Sequence, residues 1–333
     1  MFSWCKNRLE ITAKSVCIDV MQSWIAGTET PRYRHAIRQA IKLFLAGCAG
    51  ILKPTKATEF TAYPMLTAAG TGASTSANQA FQHFLELMEK DAWLDSATIA
   101  RMEKIWVQSG LETLKWESIP VSSRQIMSQL MAVHYADWFG VASFGEQFDP
   151  QERWEWLSIM PAASCPCDML MIMPSRLATE LNGNSGLFRG LNTTADLYTQ
   201  LYGVEFPAGH KANWSRESLG TILLTFDTPW YPPSGEVMGE MSELFDCEIR
   251  HYWKSVDEGF SGYSPHRYLW VSATDIDPLA AGMAYIQLTL CGVPGEVVIG
   301  NSLCDERRRV LHTFAHYQGN WPGRLRHVLN QAA

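Results

Sequence analysis

One half-buried strand runs straight into an amphipathic helix, and strand signals then return only near residue 165; this constrains the 333-residue chain most. In residues 4–12, Cys5, Leu9 and Ile11 share one parity with polar residues between them, the alternation of a strand with one covered face. Ser15 then opens a helix carrying Cys17, Val20, Met21 and Trp24 on one side, and Gly27 stops it. A strand followed by a short amphipathic helix is the opening of an α+β unit. The stretch from 30 to about 160 has a different character. The spacing predicts a basic amphipathic helix over Pro31–Ala46, a Thr/Ala/Gly/Ser-rich loop over 54–77, and helices marked by Phe81/Phe84/Leu85/Met88, by Ile99/Met102/Trp106 and by Ile126/Leu130/Val133.

After residue 165 the pattern predicts a short apolar strand at Met169–Met173, a strand at Leu219–Phe226, and a helix after Pro232-Pro233-Ser234. Strands follow at Cys247–Trp253 and Tyr268–Val271, and two helices are expected at about 304–317 and 322–331. This order suits an α+β fold: a ferredoxin-like antiparallel or mixed sheet with helices on one face, plus a mostly helical insertion and C-terminal helices. The expected divisions are 1–29 for the first strand and helix, 30–163 for the insertion, 164–275 for the ferredoxin-like domain, and 276–333 for a sheet extension and terminal helices.

Composition narrows the function. Hydrophobic residues make up 47% and charged residues 18%, enough apolar surface for a core and too little charge for disorder. A formal net charge of −7 works against broad binding to duplex DNA. None of the eight cysteines has the spacing of a metal-binding or redox pair, and no signal sequence precedes the first strand, so reduced thiols in the cytoplasm are expected. Pro278–Gly295 is the longest uncharged stretch. Its prolines, glycines and Gln287 read as buried strands and turns and not as a membrane span. No cofactor motif is complete: Gly70-Thr71-Gly72-Ala73-Ser74-Thr75-Ser76 lacks the ending of a phosphate loop, and Gly183-Asn184-Ser185-Gly186 is most simply a turn.

Several segments resemble one family. Trp4-Cys5-x-Asn7-x-Leu9-x-Ile11 is similar to the opening of the YubB/Api-like proteins of conjugative plasmids and phages. Phe226-Asp227-Thr228-Pro229-Trp230-Tyr231-Pro232-Pro233 resembles their signature, and Trp253 through Glu258-Gly259-Phe260-Ser261-Gly262 resembles the next block. Met171-Ile172-Met173-Pro174 resembles a family strand ending in proline. Ser3 departs from the family's asparagine, and His210-Lys211-Ala212-Asn213-Trp214 departs from a Gly-Thr-Lys-Trp element. The resemblance implies a ferredoxin-like second half and a mobile-element setting. It implies no reaction, and it assigns no catalytic residue.

The leading expectation is therefore a non-enzymatic mobile-element accessory protein that binds and modulates a host protein, as in a defence or stress pathway. Its contact residues would be Trp214, Trp230, Tyr231, Asp257, Glu258 and Phe260, since aromatic anchors dominate interface energetics. The alternative partner is single-stranded nucleic acid at Arg307, Arg308, Arg309, Trp321 and Arg324, where cations and aromatics alternate. An enzyme would draw on His312 and His316, four apart on the expected helix. No glutamate follows the first histidine, and no metal site is assigned.

Overall fold

The computed structural model describes residues 4–140, 149–255, 270–302, 304, 306–318, 321–322 and 325. The chain divides into two compact units, Met1–Val256 and Asp257–Ala333.

The first unit opens with β1 (Trp4–Ala13), whose Cys5, Asn7, Leu9 and Ile11 are buried while Lys6, Arg8 and Thr12 face solvent. The helix α1 (Ser15–Ala26) follows. Its inward face is Ile18, Met21, Trp24 and Ile25, and the expected Val20 lies outside it. Gly27 closes α1 in the left-handed conformation, at φ 69°, and its amide donates to Trp24 O at 3.2 Å. A Cβ there would stand 2.7 Å from the carbonyl carbon of Cys165. Gly27→Ala therefore combines a strained backbone with a backbone clash. It is expected to cost about 2 kcal/mol, read as a lower urea midpoint.

Between α1 and the second strand lies the helical body: α2 (Arg32–Cys48), α3 (Ser76–Glu89), α4 (Ser96–Ser109), α5 (Val121–Val133), α6 (Tyr135–Phe139), α7 (Pro150–Trp156), α8 (Leu177–Asn182) and α9 (Thr194–Tyr202). Asp95 caps α4 by accepting from the Thr98 amide, and Gly110 ends it in the left-handed region. The inner face of α5 is Ser123, Met127, Leu130 and Met131; Val133 is exposed. The helix α2 is the axis of this body. Its Ala40, Ile41, Leu43, Phe44, Leu45 and Ala46 are all buried, so its C-terminal half is enclosed, while Arg32, Arg34 and Arg38 in the N-terminal half keep some exposure. The basic face expected there is corrected at Lys42, which is 1% exposed. Its Nζ donates to Ser158 Oγ at 2.6 Å and sits 4.2 Å from the Trp154 ring, and burial lowers its pKa to about 8.

The chain then returns to the sheet with β2 (His210–Ser218), β3 (Thr221–Pro229), α10 (Gly235–Leu244) and β4 (Cys247–Ser255). The strand order is β2-β3-β1-β4, with every neighbouring pair antiparallel. The order βαββαβ with this pairing is the ferredoxin-like arrangement. Ile222, Leu224 and Phe226 of β3 pack with Leu9 and Ile11 of β1, with Ile18, Met21 and Trp24 of α1, and with Val237 and Met241 of α10. Both helices thus cover one face. The strand β2 was not expected from its mostly exposed, polar sequence. The expected strand at Met169–Met173 is instead a single 3₁₀ turn, Met169–Met171, held by the Asp168 carboxylate accepting from the Leu170 amide.

The second unit contains β5 (Val271–Asp275), α11 (Pro278–Leu290), β6 (Gly295–Asn301), β7 (Glu306–His312) and α12 (Phe314–Gln318). The strand β5 runs parallel to β6, and β7 pairs antiparallel to it. Thus the fifth strand, placed with the ferredoxin-like stretch by the sequence, joins a different sheet. Pro278–Gly295 is corrected too: Pro278 at the first helical position and Asp277 as N-cap start a helix there. Its Leu279, Met283, Ile286 and Leu290 are exposed. The helix expected over 304–317 is mostly strand, because β7 completes the ladder beside Val297 and Val298. Tyr268 lies outside the described residues. Among the described residues, no helix is long and apolar enough to cross a membrane.

Candidate functional site

The strand β3 ends on Pro229, and the next two residues are aromatic and turned outward. Trp230 has φ 63°, a conformation that side chains bulkier than that of Asn or Asp rarely adopt. It is 42% exposed and Tyr231 is 64% exposed. The Tyr231 amide donates to Pro229 O at 2.7 Å, and the Thr228 hydroxyl donates to Tyr231 O at 2.6 Å. Thr228 is itself held from across the sheet, accepting from Asn7 Nδ2 at 2.9 Å. Asn7 Oδ1 in turn lies 3.0 Å from His251 Nε2. Burial lowers the His251 pKa, which keeps the ring neutral, so Nε2 carries the hydrogen that Asn7 accepts. A buried polar chain from β4 through β1 to β3 therefore fixes the backbone that displays the two aromatics.

Trp4 stands opposite Pro229, and His210 opposite Asp227. The Trp4 and His210 rings meet edge to face with centroids 4.9 Å apart. Trp4, His210, Trp230 and Tyr231 thus gather at one end of the sheet. Trp214, 39% exposed, pairs with Leu224 in the middle of β3 and does not join this end. Asp257, Glu258 and Phe260 lie outside the described residues.

The tail residues are arranged differently from the helical cluster that their spacing suggested. Arg307, Arg308 and Arg309 are on β7. Arg307 pairs with Glu296 at 2.6 Å, and the Arg308 guanidinium forks onto Glu306 at 2.9 and 3.0 Å. Trp321 is buried, which takes its ring away from base stacking, and Arg324 is outside the described residues. His312 ends β7 while His316 lies in α12, so they are not a helical i, i+4 pair. Their ring centroids are 4.4 Å apart, and His316 Nδ1 accepts from Trp270 Nε1 at 2.9 Å. Among the described residues there is no group of three or more histidine, cysteine or acidic side chains placed to hold a metal.

A second polar cluster, which the sequence did not announce, joins the helical body to the ferredoxin-like core. Asp168 is fully buried. Its Oδ2 accepts from the Tyr33 hydroxyl at 2.6 Å and from Arg34 at 3.1 Å, and its backbone carbonyl accepts from Trp24 Nε1 at 2.8 Å. Burial raises the Asp168 pKa, opposed by Tyr33, Arg34 and the Leu170 amide. Glu180 is half-buried, accepting from the Tyr198 hydroxyl at 2.8 and 2.9 Å and from Ser175. Its pKa is raised to about 7, with burial the main cause. Both carboxylates are saturated by the protein's own donors, an arrangement suited to bracing rather than to chemistry on a substrate.

A ferredoxin-like sheet interrupted by a large helical insertion, with an aromatic end held by buried polar contacts, defines the class of protein. Residues 30–206 match the family described as protein of unknown function, DUF1281, and residues 209–277 match the ferredoxin-like domain in Api92-like protein; the chain belongs to this family. It is similar to the crystal structure of the protein api92 from Yersinia pseudotuberculosis, with 53% identity and a TM-score of 0.76 over 78% of this chain and 92% of that one. Among curated proteins it is similar to the uncharacterized proteins YubA and YubB of Escherichia coli (strain K12). Identity to YubA is 34%, covering 43% of this chain and 85% of that protein; identity to YubB is 32%, covering 34% and 87%.

Proposed function

We propose that this chain is a non-enzymatic binding protein, an accessory factor of a mobile element that docks on a host protein and modulates it. The observation that carries this reading is the strained display of Trp230. A tryptophan in the left-handed region costs of order 1 kcal/mol or more, and such strain concentrates where a function requires it. The adjoining Tyr231, Trp4 and His210 give this end of the sheet rigid aromatic area, the composition that dominates binding hot spots. The plasmid and phage setting rests on the resemblance of the sequence blocks. Trp230→Gly relieves the backbone, so its unfolding free energy is expected within about 1 kcal/mol of wild type. The same variant is expected to reduce recovery of the co-purified partner at least about tenfold, the loss typical of a central aromatic anchor. Full recovery with intact stability would place the interface elsewhere.

A second reading is favoured by the uncovered face of the same sheet. Across β1 and β4, Lys6 stands opposite Lys254, Arg8 opposite Tyr252 and Glu10 opposite Arg250. Cations beside an exposed tyrosine on a ferredoxin-like sheet suit single-stranded nucleic acid. The pairs Arg8–Glu10 and Arg250–Glu248 already neutralise two of these cations. Unchanged elution from a single-stranded DNA column at low salt would exclude this reading.

A further inference from the structure

We propose that the helical body binds a small organic acid with an apolar body, in the cleft between α2 and α4. This is independent of the aromatic end of the sheet. The two helices contribute Arg32, His35 and Gln39 on one side and Ser96, Ile99 and Glu103 on the other. Gln39 meets Glu103 and, one turn further along both helices, Lys42 Nζ lies 5.6 Å from the Trp106 ring, so the helices run side by side in the same direction with their N-terminal ends together. The cleft has a volume of about 460 Å³, within the range of small-ligand sites.

Its polarity is graded. At the N-terminal end, Arg32 is exposed and makes no ion pair among the described residues, and two helix dipoles present their positive ends. Asp95 already caps α4 there by taking the Thr98 amide, which leaves Arg32 as the cation open to a ligand. The middle is apolar, lined by Ala36, Ile99 and Ala100 with Met160 beside them. About two turns along, roughly 10 Å from Arg32, Gln39 donates to Glu103 at 2.9 Å and closes the far end.

The second observation is His35. It lines the cleft, is only 7% exposed, and its Nδ1 is buried without a hydrogen-bond partner. Buried polar groups in folded proteins are ordinarily paired, so an orphaned nitrogen on a ring that lines a cleft is open to a ligand. Burial lowers the His35 pKa, which leaves the ring neutral and able both to donate and to accept. The ligand that fits has a carboxylate for Arg32, an apolar body for the middle, and one polar edge within reach of His35.

The test uses the full-length chain and two probes of one shape, 2-naphthoate and 2-naphthylmethanol, followed by saturation-transfer NMR and calorimetry. The acid is expected to bind with a Kd below about 1 mM and the alcohol about tenfold more weakly, the difference a charge-assisted contact supplies. Arg32→Ala should bring the acid to the level of the alcohol and leave the alcohol unchanged. Ala100→Trp, on an exposed position of the cleft wall, should abolish both with the urea midpoint of the wild type. No binding of the acid at about 5 mM would overturn the proposal. So would equal affinity for acid and alcohol, or undiminished binding to a folded Ala100→Trp protein.

Discussion

Replacing Asp168 with alanine is expected to cost about 3–4 kcal/mol of unfolding free energy, among the largest losses available from one side chain in this protein. The carboxylate accepts from Tyr33, Arg34 and the Leu170 amide at once. Removing it leaves the buried Tyr33 hydroxyl and the Leu170 amide without an acceptor, and a buried donor stranded in this way costs about 1–3 kcal/mol. Arg34 is 37% exposed at its side chain and turns to water, so it adds less. The loss falls on one place in the architecture. Tyr33 and Arg34 belong to the first turn of α2, whereas Cys167 and Met169 beside Asp168 pack with the ferredoxin-like core. Asp168→Asn keeps the shape and one acceptor, and is expected to lose about half as much. Urea denaturation followed by far-ultraviolet circular dichroism measures both. Equal, small losses for the two variants would show that the cluster does not hold the helical body to the sheet.

Substituting Glu180 by glutamine is expected to change how stability depends on pH. Burial raises the Glu180 pKa from 4.5 to about 7, against the hydrogen bonds from Ser175 and Tyr198. A carboxyl group with a folded pKa above its unfolded one binds its proton more tightly when folded. Its contribution is therefore fully present below pH 4.5 and is lost as pH rises through about 7. The span corresponds to about 3 kcal/mol. Glutamine is neutral throughout and resembles the protonated acid. Glu180→Gln should therefore match the wild type near pH 4.5 and exceed its stability by up to about 3 kcal/mol at pH 8. A difference between the two proteins that stays constant from pH 4.5 to 8 would contradict the assignment.

These two carboxylates illustrate what the sequence conceals. Asp168 lies between Cys167 and Met169 in an apolar run, and nothing in that spacing announces Tyr33, a partner 135 positions away; Glu180 sits in a short helix and takes its donors from Ser175 and Tyr198. The strand β1, the helix α1 and the strand β3 were legible because each has one covered face and one open face, so burial writes a period into the residues. The strand β2 was not, since it is an edge strand with few buried positions and two register shifts. The helix α2 misled in the opposite direction. Its spacing predicts a basic amphipathic helix, yet Trp154 and Ser158 accommodate the Lys42 ammonium inside. In the second unit, the residues of α11 lack a helical period, being apolar on the exposed side as well, so the segment reads as strands. Of the proposed contact residues, Trp230 and Tyr231 are exposed, while the support beneath them became visible only with the fold. Asn7, one of the residues that carries the family resemblance, proves to be the central link between His251 and Thr228.

On the proposed reading, this protein works by binding another protein. The most direct measurement is recovery of the tagged chain from its bacterial host, with and without nuclease, followed by mass spectrometry of what accompanies it. One stoichiometric host protein that survives nuclease and is lost from Trp230→Gly is the expected result. Co-purification that disappears on nuclease treatment, with no stoichiometric protein remaining, would contradict it and transfer the function to nucleic acid on the open face of the sheet.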